Sequence, residues 1–508
     1  MENEIKTEKV LLKKEKLALN IEQLIENDLS LPDYCGDIMK ILSCTAQTNI
    51  FSGSITGDKA VVNGMILIRM IYVDSSSKTE VYEMNYPFNR SVDVKNADEN
   101  DLVDVSCVSE QISCRAVNSR RADVRGSVTL KICVTGTDEC DFLVSAPEDF
   151  CHTLKTSAKG SFLKCCFRKP FTLSAENDSD DKIKNAKIIR TSCIPIVNEV
   201  KTIKNKMMVR GNVAADITML NSSGNFISDR VNIPVNQIID AEGVDDESDC
   251  CVNLKVQSID ARIVPDTPSS PAHIEVSAVV CACIDVFSKK DITAVTEAYS
   301  PKCELICKTD KVRCISSVVR VNENHTVTAK HDFASGKAVA VSDVAVKKIR
   351  YTVHSENNAV VLKGNIHYGI IVVSDESEKL YFERISDFEY RKQTNEDVPD
   401  YEFNPVVSLN SMDFSLSPDG TAVINTEMRI DGFIYPSCEM TVISAVEKGE
   451  ERKTDTDNCV ITVYFASKGE RLWDIAKEHN TSVKMLRELN SINEDVLEKD
   501  CMLVFDRE

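Results

Sequence analysis

No C-x2-C pair occurs in this 508-residue chain, there is a single tryptophan, and no apolar run approaches the length of a membrane span. Each absence excludes something. Structural zinc is held by clustered thiolates and imidazoles. The 20 cysteines lack that clustering, and Cys281/Cys283, which one strand would place on the same face, read as two core thiols. The seven histidines are scattered with no ligand spacing to cysteine, so neither metal nor cofactor is expected. The most apolar run, Met65 to Val73, is broken by Arg69 and falls far short of the roughly 20 residues that cross a bilayer. The charged start Met1-Glu2-Asn3-Glu4-Ile5-Lys6 lacks the apolar stretch of an export signal, and reduced thiols are therefore expected. Phosphate loops, nucleophile elbows, H-E-x-x-H and G-x-G-x-x-G are all missing, so no catalytic residue is assigned and the chain is read as a non-enzyme. Sixty Lys+Arg against 80 Asp+Glu give a net charge of −20, the wrong sign for neutralising phosphates, which excludes nucleic acid as a partner.

What is present is an ordinary globular composition, 43% hydrophobic and 28% charged, on a chain long enough for several domains. A cassette recurs three times. Ala60-Val61-Val62-Asn63-Gly64, Met207-Met208-Val209-Arg210-Gly211 and Val360-Val361-Leu362-Lys363-Gly364 each lead into a long apolar-rich strand. The glycines lie 147 and 153 residues apart, a whole-domain repeat. A second alternating strand recurs around Ala122–Leu130, His273–Val279 and Ala422–Ile430. Turn signals at Thr56-Gly57-Asp58, Ser222-Ser223-Gly224-Asn225 and Pro418-Asp419-Gly420 separate the runs. The expected fold is mainly β: three tandem β-rich, sandwich-like repeats over residues 5–140, 150–290 and 303–446. Pro32 to Leu42 reads as a turn leading into a short helix or an extended entry segment. Linkers are expected at Glu176–Lys182 and at 447–459, both charged and apolar-poor.

Residues 460–508 change character. Ile461 to Phe465 reads as a strand. Leu472, Ile475 and Ala476 give one helical face, and Val483, Leu486 and Leu489 a second helix capped by Thr481 or Ser482. Met502 to Phe505 closes with a strand, making a small α+β module of order βααβ.

Thr462-Val463, Lys468-Gly469-Glu470-Arg471-Leu472-Trp473, Asp474-Ile475-Ala476 and Leu486-Arg487-Glu488-Leu489-Asn490 resemble the LysM family in order and spacing. The resemblance implies a shallow groove for N-acetylglucosamine polymers, lined here by Gly469, Glu470, Arg471 and Leu472 facing Ile492, Asn493 and Glu494. Such a groove binds through backbone hydrogen bonds and apolar contact with sugar faces. Glu470-Arg471 stands where the family has Asp-Thr, and the final strand departs from the family ending, which shifts the expected ligand from sugar to protein. Trp473 reads as packing between helix and strand.

Three β-rich repeats, the first opening on Leu31-Pro32-Asp33 and Asp37-Ile38-Met39-Lys40-Ile41-Leu42, followed by a terminal LysM, are similar to the SipL family of clostridial spore-coat morphogenetic proteins with repeated SPOCS domains. That resemblance implies a non-enzymatic scaffold in the mother-cell cytoplasm at the forespore surface. Its partners would be the spore-coat morphogenetic ATPase, onto which the LysM docks, and other coat proteins. The alternative it leaves is a protein that binds peptidoglycan glycan chains.

Overall fold

The computed structural model describes residues 5–147, 151–178, 183–267, 271–333, 338–356, 358–375, 378–394, 400–452 and 462–505. The chain is almost entirely strand, with two short helices near its C-terminus. The first block holds β1 (Lys6–Ser30), β2 (Ile38–Thr56), β3 (Lys59–Asp74), β4 (Thr79–Asp93), β5 (Leu102–Asn118) and β6 (Arg121–Ser145). β2-β3-β4 form one antiparallel sheet, and β1-β6-β5 form the layer facing it. Alternation in β3 sends Ile66, Ile68, Met70 and Tyr72 inward, where they meet Ile25, Val124, Val128 and Leu130 of the opposite layer.

The second block repeats the order with β7 (His152–Asp178), β8 (Lys187–Ile203), β9 (Lys206–Leu220), β10 (Phe226–Asp240), β11 (Asp249–Val264) and β12 (His273–Tyr299). The third uses β13 (Cys303–Ile315), β14 (Val319–Asp332), β15 (Ala338–Glu356), β16 (Ala359–Ser374), β17 (Lys379–Gln393), β18 (Asp400–Phe403), β19 (Val406–Leu416) and β20 (Thr421–Glu451). Its three-stranded sheet is β15-β16-β17, as β10-β9-β8 is in the second. Each block is a two-layer β-sandwich.

The cassette glycines sit in the central strands β3, β9 and β16. A Cβ on Gly211 would lie 1.9 Å from the Ile196 carbonyl oxygen, and one on Gly364 would lie 2.0 Å from the Arg350 carbonyl oxygen. Only hydrogen fits there. In the first block the Phe88 ring covers Gly64.

The long strands continue beyond the sandwiches. β1 pairs with β6, β7 with β12 and β13 with β20 as ribbons, and their apolar faces share one core that includes Phe142, Phe162, Ala294, Val312 and Val442. Leu143, Val295 and Ile443, from corresponding places in the three blocks, meet in an adjoining cluster. A charged cluster seals the first block against the second: Arg168 of β7 donates to both oxygens of Asp104 of β5, at 3.2 and 2.9 Å. Burial disfavours the Asp104 charge, but Lys255, Arg168 and Lys13 outweigh it and hold the carboxyl well below its ordinary range.

Several local expectations change. The entry segment takes the extended one of its two expected forms, a turn followed by strand β2, and Arg120 pins the turn by donating to the carbonyls of Leu31, Pro32 and Cys35. Glu176 and Asn177, read as linker, lie in β7, paired with Glu275 and Ile274; residues 179–182 of that stretch lie outside the described residues. The stretch 447–451 is strand β20 rather than linker, and 453–459 lie outside the described residues. The thiols are not uniformly free: Cys44 of β2 and Cys114 of β5 are joined by a disulfide across the first sandwich. Cys281 and Cys283 are both buried on β12. Among the described residues no group of three or more His, Cys, Asp or Glu side chains is placed to hold a metal ion, and no helix is long and apolar enough to cross a membrane.

Candidate functional site

The C-terminal module is β21 (Thr462–Ala466), α1 (Leu472–Glu478), α2 (Val483–Asn490) and β22 (Cys501–Phe505). β21 and β22 pair antiparallel, with Val463 opposite Val504 and Phe465 opposite Met502. Alternation gives this sheet two unlike faces. Ala466 and Leu503 are buried against Leu472, Ile475, Ala476 and Leu486 of the helices. The other face carries Val463, Phe465 and Met502, which are 46%, 77% and 57% exposed.

Polar side chains lock the connections. The Ser482 hydroxyl accepts from the Met485 N–H at 3.0 Å, so Ser482 is the cap of α2. Asn490, the last residue of α2, ties the helix to the sheet: its amide donates to the Leu486 and Val504 carbonyls at 2.9 and 2.7 Å, and its oxygen accepts from the Val504 N–H at 2.7 Å. Gly469 takes φ +94°, turning the chain from β21 toward α1.

The seven groove residues separate by role. Leu472 is buried in the module's core, and Ile492 packs against that core. Gly469 is exposed, and its N–H donates to the Leu497 carbonyl at 2.8 Å. The Leu472 N–H donates to the Asp495 carbonyl, and the Glu470 carbonyl accepts from the Leu497 N–H, each at 2.9 Å. The main-chain N–H groups of Gly469, Glu470, Leu472 and Ile492 are thus engaged within the module. The Glu470 carboxylate accepts from the Tyr464 hydroxyl at 3.0 Å, and Arg471 pairs with Asp474 at 2.8 Å. Asn493 and Glu494 are exposed, beside exposed Asp495, whose carboxylate accepts from Arg487.

Sequence reasoning missed the seat of this module. α1 rests on the end of β12. Glu297 accepts from the Trp473 indole N–H at 3.0 Å and pairs with Lys477 at 3.2 Å and Arg471 at 3.4 Å. The Tyr299 hydroxyl donates to the Thr481 carbonyl at 2.7 Å, and its ring meets Trp473 edge-on at 4.9 Å. Partial burial opposes the Glu297 charge, but the Trp473 and Lys477 hydrogen bonds and the two cations outweigh it and lower its pKa. Trp473, 9% exposed, fills a core as expected, yet that core is shared with Tyr299 and Leu154 of the second block. The nearest sequence signal is the alternation that makes β12 a strand; nothing in it marks Glu297 as a seat.

The SipL, SPOCS domain family matches residues 37–117 and 186–264, which span β2–β5 and β8–β11. The third block has the corresponding strands outside the matched segments. The LysM domain family matches residues 467–498. No curated protein matches the chain. SPOCS and LysM domains are binding domains, and LysM domains are associated with glycan. The chain thus combines SipL SPOCS domains with a C-terminal LysM domain, the domain combination of the SipL family.

Proposed function

We propose that this protein is a non-enzymatic spore-coat morphogenetic scaffold of the mother-cell cytoplasm, held at the forespore surface when its LysM domain docks onto the ATPase of the coat basement layer. The observation that carries this reading is the apolar outer face of β21–β22, with Val463, Phe465 and Met502 open to solvent. Exposed apolar groups grouped on one rigid face are characteristic of protein contacts. The seat on β12 holds α1 against the second block and leaves that sheet face outward. A groove whose main-chain N–H groups at Gly469, Glu470, Leu472 and Ile492 are engaged within the module supports the same reading.

The second reading is peptidoglycan binding in the groove. It is favoured by the LysM match itself and by the exposed Asn493 and Glu494.

The test uses the full chain against the purified coat ATPase and, separately, against purified peptidoglycan. The expected result is retention of the ATPase, weakened about thirtyfold by Phe465→Ser, the loss of roughly 2 kcal/mol that an interfacial aromatic anchor commonly contributes. Sedimentation with peptidoglycan and no retention of the ATPase would establish the second reading instead. A fluorescent fusion that labels the vegetative wall rather than the forespore would remove the sporulation assignment.

A further inference from the structure

We infer that Cys314 and Cys438 are an oxidisable pair, a site at which a small-molecule disulfide such as oxidised glutathione installs an intramolecular cross-link between β13 and β20. The inference is independent of the partner proposed for the LysM domain.

The register carries it. Cys314 stands directly opposite Cys438 in the β13–β20 ladder, between the pairs Arg313–Glu439 and Ile315–Ser437. Among the described residues it is the one place where two cysteines oppose each other across a ladder. Opposed residues of an antiparallel pair project to the same face with Cβ atoms about 4.5–5.5 Å apart, and disulfides span Cβ separations of about 3.5–4.5 Å, so a small local shift suffices. The sulfurs also have unequal access: Cys314 is buried in the core shared by the ribbons, and Cys438 is exposed.

That inequality sets the order of steps. The exposed Cys438, as thiolate, attacks one sulfur of the small disulfide; a Cys438–glutathione bond forms, and one glutathione leaves and takes up a proton. Cys314, whose thiol burial pushes up to about 11 with Cys438 adding to the effect, reacts second. It loses its proton and attacks the Cys438 sulfur, forming the Cys314–Cys438 bond and expelling the second glutathione. Two protein thiols and one small disulfide thus become one protein disulfide and two small thiols.

The location gives the bond a consequence. β13 ends at Ile315, and β14 through β19 all lie between the two cysteines. The bond would close the neck of the third sandwich, whereas Cys44–Cys114 joins strands within the first.

The test is to incubate the full chain with oxidised glutathione, alkylate it under denaturing conditions and map the peptides by mass spectrometry. The wild type should give a Cys314–Cys438 linked peptide that dithiothreitol removes, together with a raised thermal midpoint. Cys438→Ser, a change at an exposed position, and Cys314→Val should both lose the peptide and the shift. Cys314 left fully alkylatable in the oxidised wild type, or Cys438 held only as a glutathione adduct or linked to a second chain, would overturn the inference.

Discussion

Replacing Glu297 with alanine should loosen the LysM domain from the second sandwich, and the only tryptophan of the chain reports the event. The substitution leaves the Trp473 indole N–H without its acceptor at a position 9% exposed, which costs about 1–3 kcal/mol. The two ion pairs add little. Arg471 and Lys477 are nearly half exposed, so solvent screens both pairs. A loss of about 1–3 kcal/mol lowers the docked-to-undocked ratio roughly five- to hundredfold. Tryptophan emission should shift to the red, and acrylamide should quench it more strongly. Glu297→Gln, which keeps an acceptor but no charge, should do so weakly. The pH dependence has a defined sign. The Glu297 pKa is lowered from 4.5, so its contribution is fully present above that value and is lost as pH falls through the lower folded-state value. Quenching of the wild type should therefore rise in that acid window, and quenching of Glu297→Gln should not follow it. Unchanged emission and quenching in Glu297→Ala, also when combined with Tyr299→Phe, would refute the seat.

Three further outcomes follow from the packing. Gly211→Ala should lower the thermal midpoint far more than Gly57→Ala: the first forces a Cβ to 1.9 Å from the Ile196 carbonyl oxygen, whereas the second meets no atom within 4 Å and costs about 1–2 kcal/mol for its φ of +63°. Arg168→Met strips Asp104 of its bidentate partner at a contact where the side chains are 14% and 20% exposed, but Lys255 still faces the carboxylate at 3.5 Å, so the loss in thermal or denaturant unfolding is about 1–3 kcal/mol. Because the Asp104 carboxyl is depressed from 3.8, this contribution is fully present above that pH and is lost as pH falls through the lower folded-state value, so the difference between wild type and variant should narrow in strong acid. Asn490→Ala removes two hydrogen bonds between α2 and β22 and one within α2, and should expose the LysM amides to hydrogen exchange, at a cost of about 2–3 kcal/mol, while the sandwiches keep their protection.

The repeats were legible because strand interiors rarely tolerate glycine. Gly64, Gly211 and Gly364 mark places where a neighbouring carbonyl or ring occupies the Cβ position, and such a constraint recurs with the fold. The turns at Gly57, Gly224 and Gly420 were legible for a related reason, since all three take positive φ. Charge patterning misled at Glu176 and at 447–451. A strand in a solvated ribbon needs few apolar residues: Glu447 pairs with Ile306 and Lys448 with Leu305 through main-chain bonds that any residue but proline can donate. Composition cannot separate such a strand from a linker. The Cys44–Cys114 bond was equally hidden, because it joins cysteines 70 residues apart whose proximity depends on which sheet faces which.

The LysM domain shows where local reading stops and assembly takes over. Its helices, the Ser482 cap and the strand alternation follow from neighbours within a few residues, although Leu489, read on the apolar face of α2, is 51% exposed and only Leu486 of that helix is buried. The role of its tryptophan does not. Packing of Trp473 between helix and strand accounts for its burial, but its indole N–H needs an acceptor, and the acceptor is a carboxylate 176 residues upstream. The same contact engages Arg471 and Lys477, so a surface that would be free on an isolated LysM domain is occupied here. A module joined through α1 presents its remaining surfaces in a fixed direction, and the apolar face of β21–β22 is one of them. Preorganisation of that kind lowers the entropy lost on binding. If the LysM domain docks as proposed, releasing the seat with Glu297→Ala should therefore weaken the proposed ATPase retention even though Phe465 and Met502 are untouched, whereas a LysM domain acting as an independent bead would bind equally well.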